Sequence, residues 1–247
     1  GDHASLANGG VIHKYHGRAL LMVTGACAIN CRYCFRRHFP YADANASSGQ
    51  WAPALDYLSR DPSVSEAILS GGDPLSLNDR RLRALSDGLA AIPHLRRIRV
   101  HSRLPVVVPS RVDASLSDWF TGTRLTPVMV IHANHPNELD TPVAAALQRL
   151  ADHGVRLYNQ AVLLRGVNDD VDTLGALGER LFAIGVQPYY LHLLDRVRGA
   201  AHFEINEREA SRMMRDLAAM TPGYMLPRLV REVAGEPWKV PIDWTRH

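Results

Sequence analysis

Six times along this chain, a short apolar or β-branched run is followed by a segment with helical spacing. The runs lie at 19–24, 66–70, 97–101, 127–132, 155–163 and 186–194. The helical segments lie at about 51–60, 79–91, 113–121, 141–152, 171–184 and 207–220. Strand-then-helix units in series require parallel strands joined by right-handed crossovers, with helices covering the sheet. Six units are fewer than the eight of a closed β/α barrel. They fit an open, partial (β/α)6 barrel of parallel strands with outer helices and functional residues at the C-terminal strand ends. A doubly wound sheet has the same periodicity. Several caps support the helix starts. Asn78 precedes one, Thr141 offers a hydroxyl ahead of Pro142, and Asn206 with Glu209 three residues on reads as a capping-box-like start.

All three cysteines, Cys27, Cys31 and Cys34, fall within eight residues, just after the first apolar run. An odd number on so short a loop argues against a disulfide framework. Structural zinc takes four ligands, commonly as two separated pairs, and only His38 is at hand to complete a set. Three thiolates on one loop suit three corners of a four-iron cluster, whose fourth iron is then open for chemistry. Free thiols in a metal-type motif point to the reducing cytoplasm.

With 247 residues, 46% of them hydrophobic, the chain is long enough for one large α/β domain. No apolar run approaches the roughly 20 residues that span a bilayer, so no membrane role is expected. A net charge of +3 with scattered basic residues argues against nucleic acid as the main ligand. Of 28 basic residues, only Lys14 and Lys239 are lysine. Where charge alone suffices this chain uses arginine, so a lysine can mark a position that calls for a primary amine. Lysine forms a Schiff base and arginine does not; chance survival is the alternative. The second strand run ends in Gly71-Gly72-Asp73-Pro74, where two glycines let backbone come close to a ligand.

The cysteine spacing and the glycine turn together resemble the radical S-adenosylmethionine (SAM) enzymes. In that superfamily the open iron binds SAM, and one electron cleaves it to a 5′-deoxyadenosyl radical. Longer motifs narrow the resemblance. Cys31-Arg-Tyr-Cys-Phe-Arg-Arg-His-Phe-Pro-Tyr41, His101-Ser-Arg-Leu-Pro105, Asn159-Gln-Ala-Val-Leu-Leu-Arg-Gly-Val-Asn168 and Pro188-Tyr-Tyr-Leu-His192 resemble the lysine 2,3-aminomutase family. Gly199-Ala-Ala-His-Phe203 and Gly235-Glu-Pro-Trp-Lys-Val-Pro241 look most like the branch that makes β-lysine for elongation factor P. The resemblance runs from about residue 10 to 243.

The resemblance implies an isomerase that converts L-α-lysine to β-lysine with a [4Fe-4S] cluster, SAM and pyridoxal 5′-phosphate (PLP). It implies that Cys27, Cys31 and Cys34 hold the cluster and that Gly71, Gly72 and Asp73 face SAM. His132 and Gln160 face SAM as well, or else only hydrogen-bond structurally. Lys239 matches the lysine that carries PLP as a Schiff base. Arg18 matches the arginine on the PLP phosphate, and Lys14 either joins it or is a solvated surface lysine. Arg36 matches the partner of the substrate carboxylate, with a structural salt bridge as the alternative. Asp195 matches the aspartate that binds the distal ammonium of lysine, unless Arg196 or Arg198 occupies it. Counting back from Lys239 without gaps puts Glu232 at the second acidic position. Tyr189, Tyr190 and His192 alternate along one strand, and some of them are expected to line the pocket.

Three regions are expected: a truncated lead segment over 1–18, the partial barrel over 19–220, and a C-terminal segment over 221–247 that carries the PLP lysine. The partners implied are L-lysine, an electron donor for the cluster and, indirectly, a β-lysine ligase for elongation factor P. A homo-oligomer is compatible with all of this. A metabolic aminomutase releasing free β-amino acid, or an iron–sulfur protein without catalysis, are the alternatives.

Overall fold

The computed structural model describes residues 6–7, 10–34 and 51–245. Its strands are β1 (Leu6–Ala7), β2 (Val11–Tyr15), β3 (Arg18–Thr24), β4 (Glu66–Gly71), β5 (Arg97–Ser102), β6 (Thr126–Ile131), β7 (Arg156–Val162), β8 (Gln187–His192), β9 (Arg228–Arg231) and β10 (Val240–Pro241). The helices are α1 (Ala52–Arg60), α2 (Asp79–Ala90), α3 (Leu104–Val107), α4 (Ala114–Thr121), α5 (Thr141–Asp152), α6 (Val171–Ala183) and α7 (Glu207–Met220). All ten strands form one sheet in chain order. From β3 to β8 each strand runs parallel to the next, as the strand–helix alternation requires. The doubly wound alternative would need a strand order that reverses, and this order never does.

The sequence pattern misses one parallel strand. β9 pairs parallel with β8, with Tyr190 opposite Arg228 and His192 opposite Val230. Only four residues long, it has too few positions to display a period. What identifies it is its partner: Leu229 and Val230 are both buried against the sheet. Antiparallel strands flank the parallel set, with β2 on β3 and β10 on β9.

Alternation along each strand sorts side chains between two environments. In β5, Ile98, Val100 and Ser102 are buried while Arg97, Arg99 and His101 are half-buried. Ile98 and Val100 join Met129, Ile131, Leu157 and Leu191 in the continuous core, which also takes in Leu82, Leu85, Leu89, Leu116, Leu147, Leu177 and Leu217 from the helices. Each such buried leucine stabilises by about 1.5–3 kcal/mol relative to an exposed one. The other face of the strands, carrying Arg99, His101, Gln160 and His192, is left for the barrel interior.

Helix starts follow the expected chemistry with one correction. Asn78 accepts from Arg81 N at 3.0 Å, and Asn206 from Glu209 N at 2.9 Å. The cap of α5 is Asp140, not Thr141: its carboxylate accepts from Val143 N at 3.0 Å. Asp140 has extended backbone (φ −78°, ψ −179°), which aims its side chain back at the free N–H groups of the first turn. The Glu209 carboxylate pairs with Arg165 at 2.8 Å and also accepts from the Asn206 side-chain amide at 3.5 Å.

Side chains link the two ends of the sheet. β2 and β9 stand far apart in the strand order, yet Lys14 Nζ lies 2.7 Å from Glu232 Oε1 and Tyr15 OH donates to the same oxygen at 2.9 Å. The sheet therefore curls until its edges meet through ionic and hydrogen-bonded contacts, an open barrel closed without a backbone ladder.

Candidate active site

The cysteine loop leaves the C-terminal end of β3. Cys27 is exposed, Cys31 and Cys34 are partly buried, and none is in a disulfide. Among the described residues no three His, Cys, Asp or Glu side chains are gathered closely enough to hold a metal ion. The donor chemistry nevertheless fits an iron–sulfur cluster, with three free thiols on one loop. Burial pushes the Cys27 thiol up, and the crowd of Asp73, Cys31 and Cys34 adds to that. So much potential negative charge in one place favours a bound cation.

The glycines at the end of β4 hold this loop. A Cβ on Gly72 would lie 2.1 Å from Ala26 O, and one on Gly71 would lie 2.2 Å from Thr24 O. Gly71 also has φ +134°, a region side chains rarely adopt. The close approach makes two bonds: Gly72 N donates to Thr24 O at 2.8 Å, and Asp73 N to Ala26 O at 2.8 Å. The close backbone contact that the sequence pattern assigned to a ligand is thus made, in this structure, to the cysteine loop. Asp73 continues the clamp. Its buried carboxylate accepts from Ser102 Oγ at 2.7 Å, Arg103 N at 2.8 Å and Leu75 N at 3.0 Å.

Arg103 is the residue that sequence reasoning passed over. Its Nη1 donates to Cys31 Sγ at 2.9 Å and to Tyr33 OH at 2.7 Å, and its Nη2 pairs with Glu138 at 2.9 Å. Burial works against the charge, but Tyr33, Cys31 and Glu138 outweigh it and keep the guanidinium firmly charged. Burial pushes the Tyr33 phenol up to about 12, so it stays protonated. With Asn134, these groups line a cavity of about 290 Å³ beside the loop. The signal was present in the run His101-Ser-Arg-Leu-Pro105, since an arginine just past a strand end faces the mouth of a barrel.

Asparagines stiffen the same rim. Asn159 accepts from Ala133 N at 2.8 Å and donates to Ala133 O at 3.0 Å. Asn168 donates to Asn134 O at 2.8 Å and to Val162 O at 3.0 Å. Gln160 Nε2 lies 3.0 Å from His132 Nε2, so the two side chains pair with each other. The His101 and His132 rings are 6.2 Å apart.

A second cluster gathers residues from both ends of the chain. The register of β9 with β10 sets Val240 opposite Arg231, which makes Lys239 and Glu232 the next pair. Lys239 Nζ lies 3.1 Å from Glu232 Oε2 and 5.7 Å from the centre of the Tyr190 ring. Both lysines of the chain therefore share one carboxylate. Burial alone would raise the Glu232 carboxyl, but the Lys239 charge and bonds from Lys14, Lys239 and Tyr15 hold it at about 2. Arg18 stacks its guanidinium 4.4 Å from the centre of the Tyr15 ring. His192, 5.5 Å from the Tyr190 ring, has a buried Nε2 with no hydrogen-bond partner among the described residues. Burial first, then the Lys239 charge, drive its imidazole down to about 3, so it is neutral.

Asp195 is half-buried in the segment after β8. Arg196 is turned to Glu204, 3.9 Å away, at the surface. Arg36 lies outside the described residues. No described helix is long and apolar enough to cross a membrane.

No protein-family model matches the sequence. Curated relatives do. The chain is 50% identical over 234 residues to an L-lysine 2,3-aminomutase of Escherichia coli K12, covering 95% of this chain and 68% of that protein. It is 50% identical over 229 residues to one of Haemophilus influenzae (93% and 68%) and 37% identical over 235 residues to one of Clostridium subterminale (94% and 56%). The chain thus spans about two thirds of the length of the first two. Among solved structures it is similar to Streptococcus suis SuiB, with TM-score 0.61 and 11% identity over 90% of this chain and 50% of that one. It is also similar to a radical SAM methyltransferase from Sphaerobacter thermophilus, with TM-score 0.58 and 16% identity over 92% and 70%. At such low identity these structures speak for the fold alone, and that fold is the partial barrel of radical SAM enzymes. Half-identity along nearly the whole chain, on that scaffold, makes this chain a member of the L-lysine 2,3-aminomutase family, radical SAM isomerases that work with a [4Fe-4S] cluster, SAM and PLP.

Proposed function

We propose that this chain moves the amino group of L-α-lysine from C2 to C3, in the cytoplasm, and that the β-lysine formed serves the modification of elongation factor P. The observation that carries the reading is the meeting of Lys14 and Lys239 on Glu232 beside Tyr190, in a chain that otherwise avoids lysine. A reaction that needs one primary amine would find it here, beside Glu232 and Tyr190. When bound, the cluster and SAM supply a carbon radical that takes a hydrogen atom, and PLP tethers the migrating nitrogen.

The chain's own residues do the rest. Cys27, Cys31 and Cys34 hold the cluster, and the Arg103 guanidinium on Cys31 Sγ offsets thiolate charge. Gly71, Gly72 and Asp73 fasten the loop against β4 and, with His132 and Gln160, border the SAM side of the interior. Lys239 supplies the amine that carries PLP. Arg18 and Lys14 provide cations for its phosphate. Arg36 takes the substrate carboxylate.

Asp195 and Glu232 take the distal ammonium, and the geometry at Glu232 supports an exchange. With PLP carried on it, Lys239 would no longer offer a free ammonium to Glu232, which would keep Lys14 and could accept the distal ammonium of the substrate in its place. Fixing lysine at both ends matters because a loose radical would attack whatever lay nearest.

The test is an anaerobic assay of reconstituted protein with SAM, dithionite, PLP and L-lysine, scored by mass for β-lysine, with Lys239→Ala alongside. Product from the wild type and none from the variant is expected; equal product from both would sink the reading. Adding elongation factor P and a β-lysine ligase tests the destination. A mass gain on the factor that depends on this protein supports it, while a ligase that ignores the product favours free β-lysine metabolism. The physiological electron donor takes the place of dithionite in the cell.

A further inference from the structure

Strands β4 to β7 open with Glu66, Arg97, Thr126 and Arg156, all at the N-terminal mouth of the barrel, opposite the end that carries the cysteine loop. These residues, with Arg96, Arg99, Val128, Val130, Tyr158 and Tyr189, line a cavity of about 570 Å³. That volume is within the range of ordinary small-molecule sites. Its charge is lopsided. Four guanidinium groups face a single carboxylate. Glu66 is shared by two of them: Arg97 Nε donates to it at 2.9 Å, and Arg99 Nη2 donates to its other oxygen. Arg96 and Arg156 are exposed at the rim and make no ion pair among the described residues. Deeper in, the wall turns apolar and aromatic, with Val128, Val130 and the Tyr158 and Tyr189 rings 5.5 Å apart. Burial and the nearby Arg18 charge both press against the positive charge on Arg99, only partly eased by the tyrosines. A bound anion would relieve that pressure.

We propose that this cavity binds a multiply charged phosphorylated small molecule, its anionic groups on Arg96, Arg97, Arg99 and Arg156 and its flat or apolar body against Tyr158 and Tyr189. Guanidinium forks suit phosphate oxygens in pairs, and one carboxylate leaves most of the positive charge unmet. The cavity lies beside the Lys239 cluster, with Arg18 close enough to press on Arg99, but Arg18, Tyr190 and Lys239 are not among the residues that line it. Tyr189 belongs to the cavity wall, whereas Tyr190, bonded to it hydroxyl to hydroxyl at 3.1 Å, faces Lys239.

The test is calorimetric titration of inorganic pyrophosphate into three proteins: wild type, the double variant Arg96→Ala/Arg156→Ala, and Lys239→Ala. The double variant keeps Arg97 and Arg99 on Glu66, so its unfolding temperature should match the wild type. One saturable site is expected in wild type and Lys239→Ala alike, weakened about tenfold or more in the double variant. Absence of saturable binding, or equal affinity in the double variant, would overturn the proposal. So would loss of binding once PLP is reduced onto Lys239, because the anion would then be occupying the cofactor's phosphate position. Lys239→Ala also separates this inference from the proposed function: it removes aminomutase activity and should leave this titration unchanged.

Discussion

Replacing Glu232 by glutamine removes the charge on which both lysines converge while keeping the side chain's shape. Holding the carboxyl at about 2 instead of near 4.5 corresponds to ~3 kcal/mol, at about 1.4 kcal/mol per pH unit. The Glu232 side chain is 30% exposed, so solvent screens the pairs and about half of that, ~1.5 kcal/mol, is the expected loss. For a chain of this size that lowers the unfolding midpoint by about 3–6 °C. The sign of the pH dependence follows from the depressed carboxyl. Its contribution is present above about pH 4.5 and is lost as the pH falls toward 2, because the unfolded chain takes up the proton first. Thermal unfolding of wild type and Glu232→Gln, followed by circular dichroism from about pH 7 to about pH 3, measures this. The gap should be full near neutrality and close in acid. Equal midpoints near neutrality, or a gap that stays constant into acid, would refute the ionic account of this contact.

Three further outcomes follow from the geometry. Gly72→Ala places a Cβ 2.1 Å from Ala26 O, a backbone atom that cannot swing away, so the cysteine loop must move. A stability loss of about 3 kcal/mol and a reduced iron content after reconstitution are expected, and wild-type iron content at wild-type stability would count against the clamp. Arg103→Leu breaks the links to Cys31, Tyr33 and Glu138 and should cost about 2–4 kcal/mol together with cluster retention. Arg103→Lys should not restore it, since one ammonium cannot replace two guanidinium nitrogens; full rescue by lysine would show that charge alone matters there. His192 is held neutral down to about 3, so between about pH 7 and 5 the unfolded chain binds a proton that the native one refuses. His192→Phe should remove about 1–2 kcal/mol of that acid loss, and parallel stability–pH curves for variant and wild type would contradict it.

The barrel was largely legible because its signals are local. Ile98 and Val100 alternating with Arg97, Arg99 and His101 announce a strand with two different faces, and the structure puts it at Arg97–Ser102. Asn78 and Asn206 cap their helices through side-chain oxygens a few bonds from the backbone they satisfy. At α5 the same logic was one residue off, since Asp140 outcompetes the neighbouring threonine for the first-turn N–H groups. The scarcity of lysine singles out Lys14 and Lys239 on composition alone.

Side-chain partners were less legible, because they depend on where distant segments come to rest. Nothing in the neighbourhood of Lys14 says that its carboxylate lies 218 residues downstream. That meeting requires β9, a strand too short to have a period, and the curl that brings it round to β2. The aim of Arg103 at Cys31 likewise depends on the loop after β3 being drawn across the end of β4. The sequence by itself determined the six alternating strands and helices from β3 to α7, the thiols on their loop and the two amines, since each is encoded within a few neighbouring residues. Tertiary structure alone decided that one carboxylate serves both lysines and that Gly72 approaches the cysteine loop. It also decided that four arginines open on a common cavity. Those facts are distances between segments, and distance in a folded chain is set by how the sheet closes.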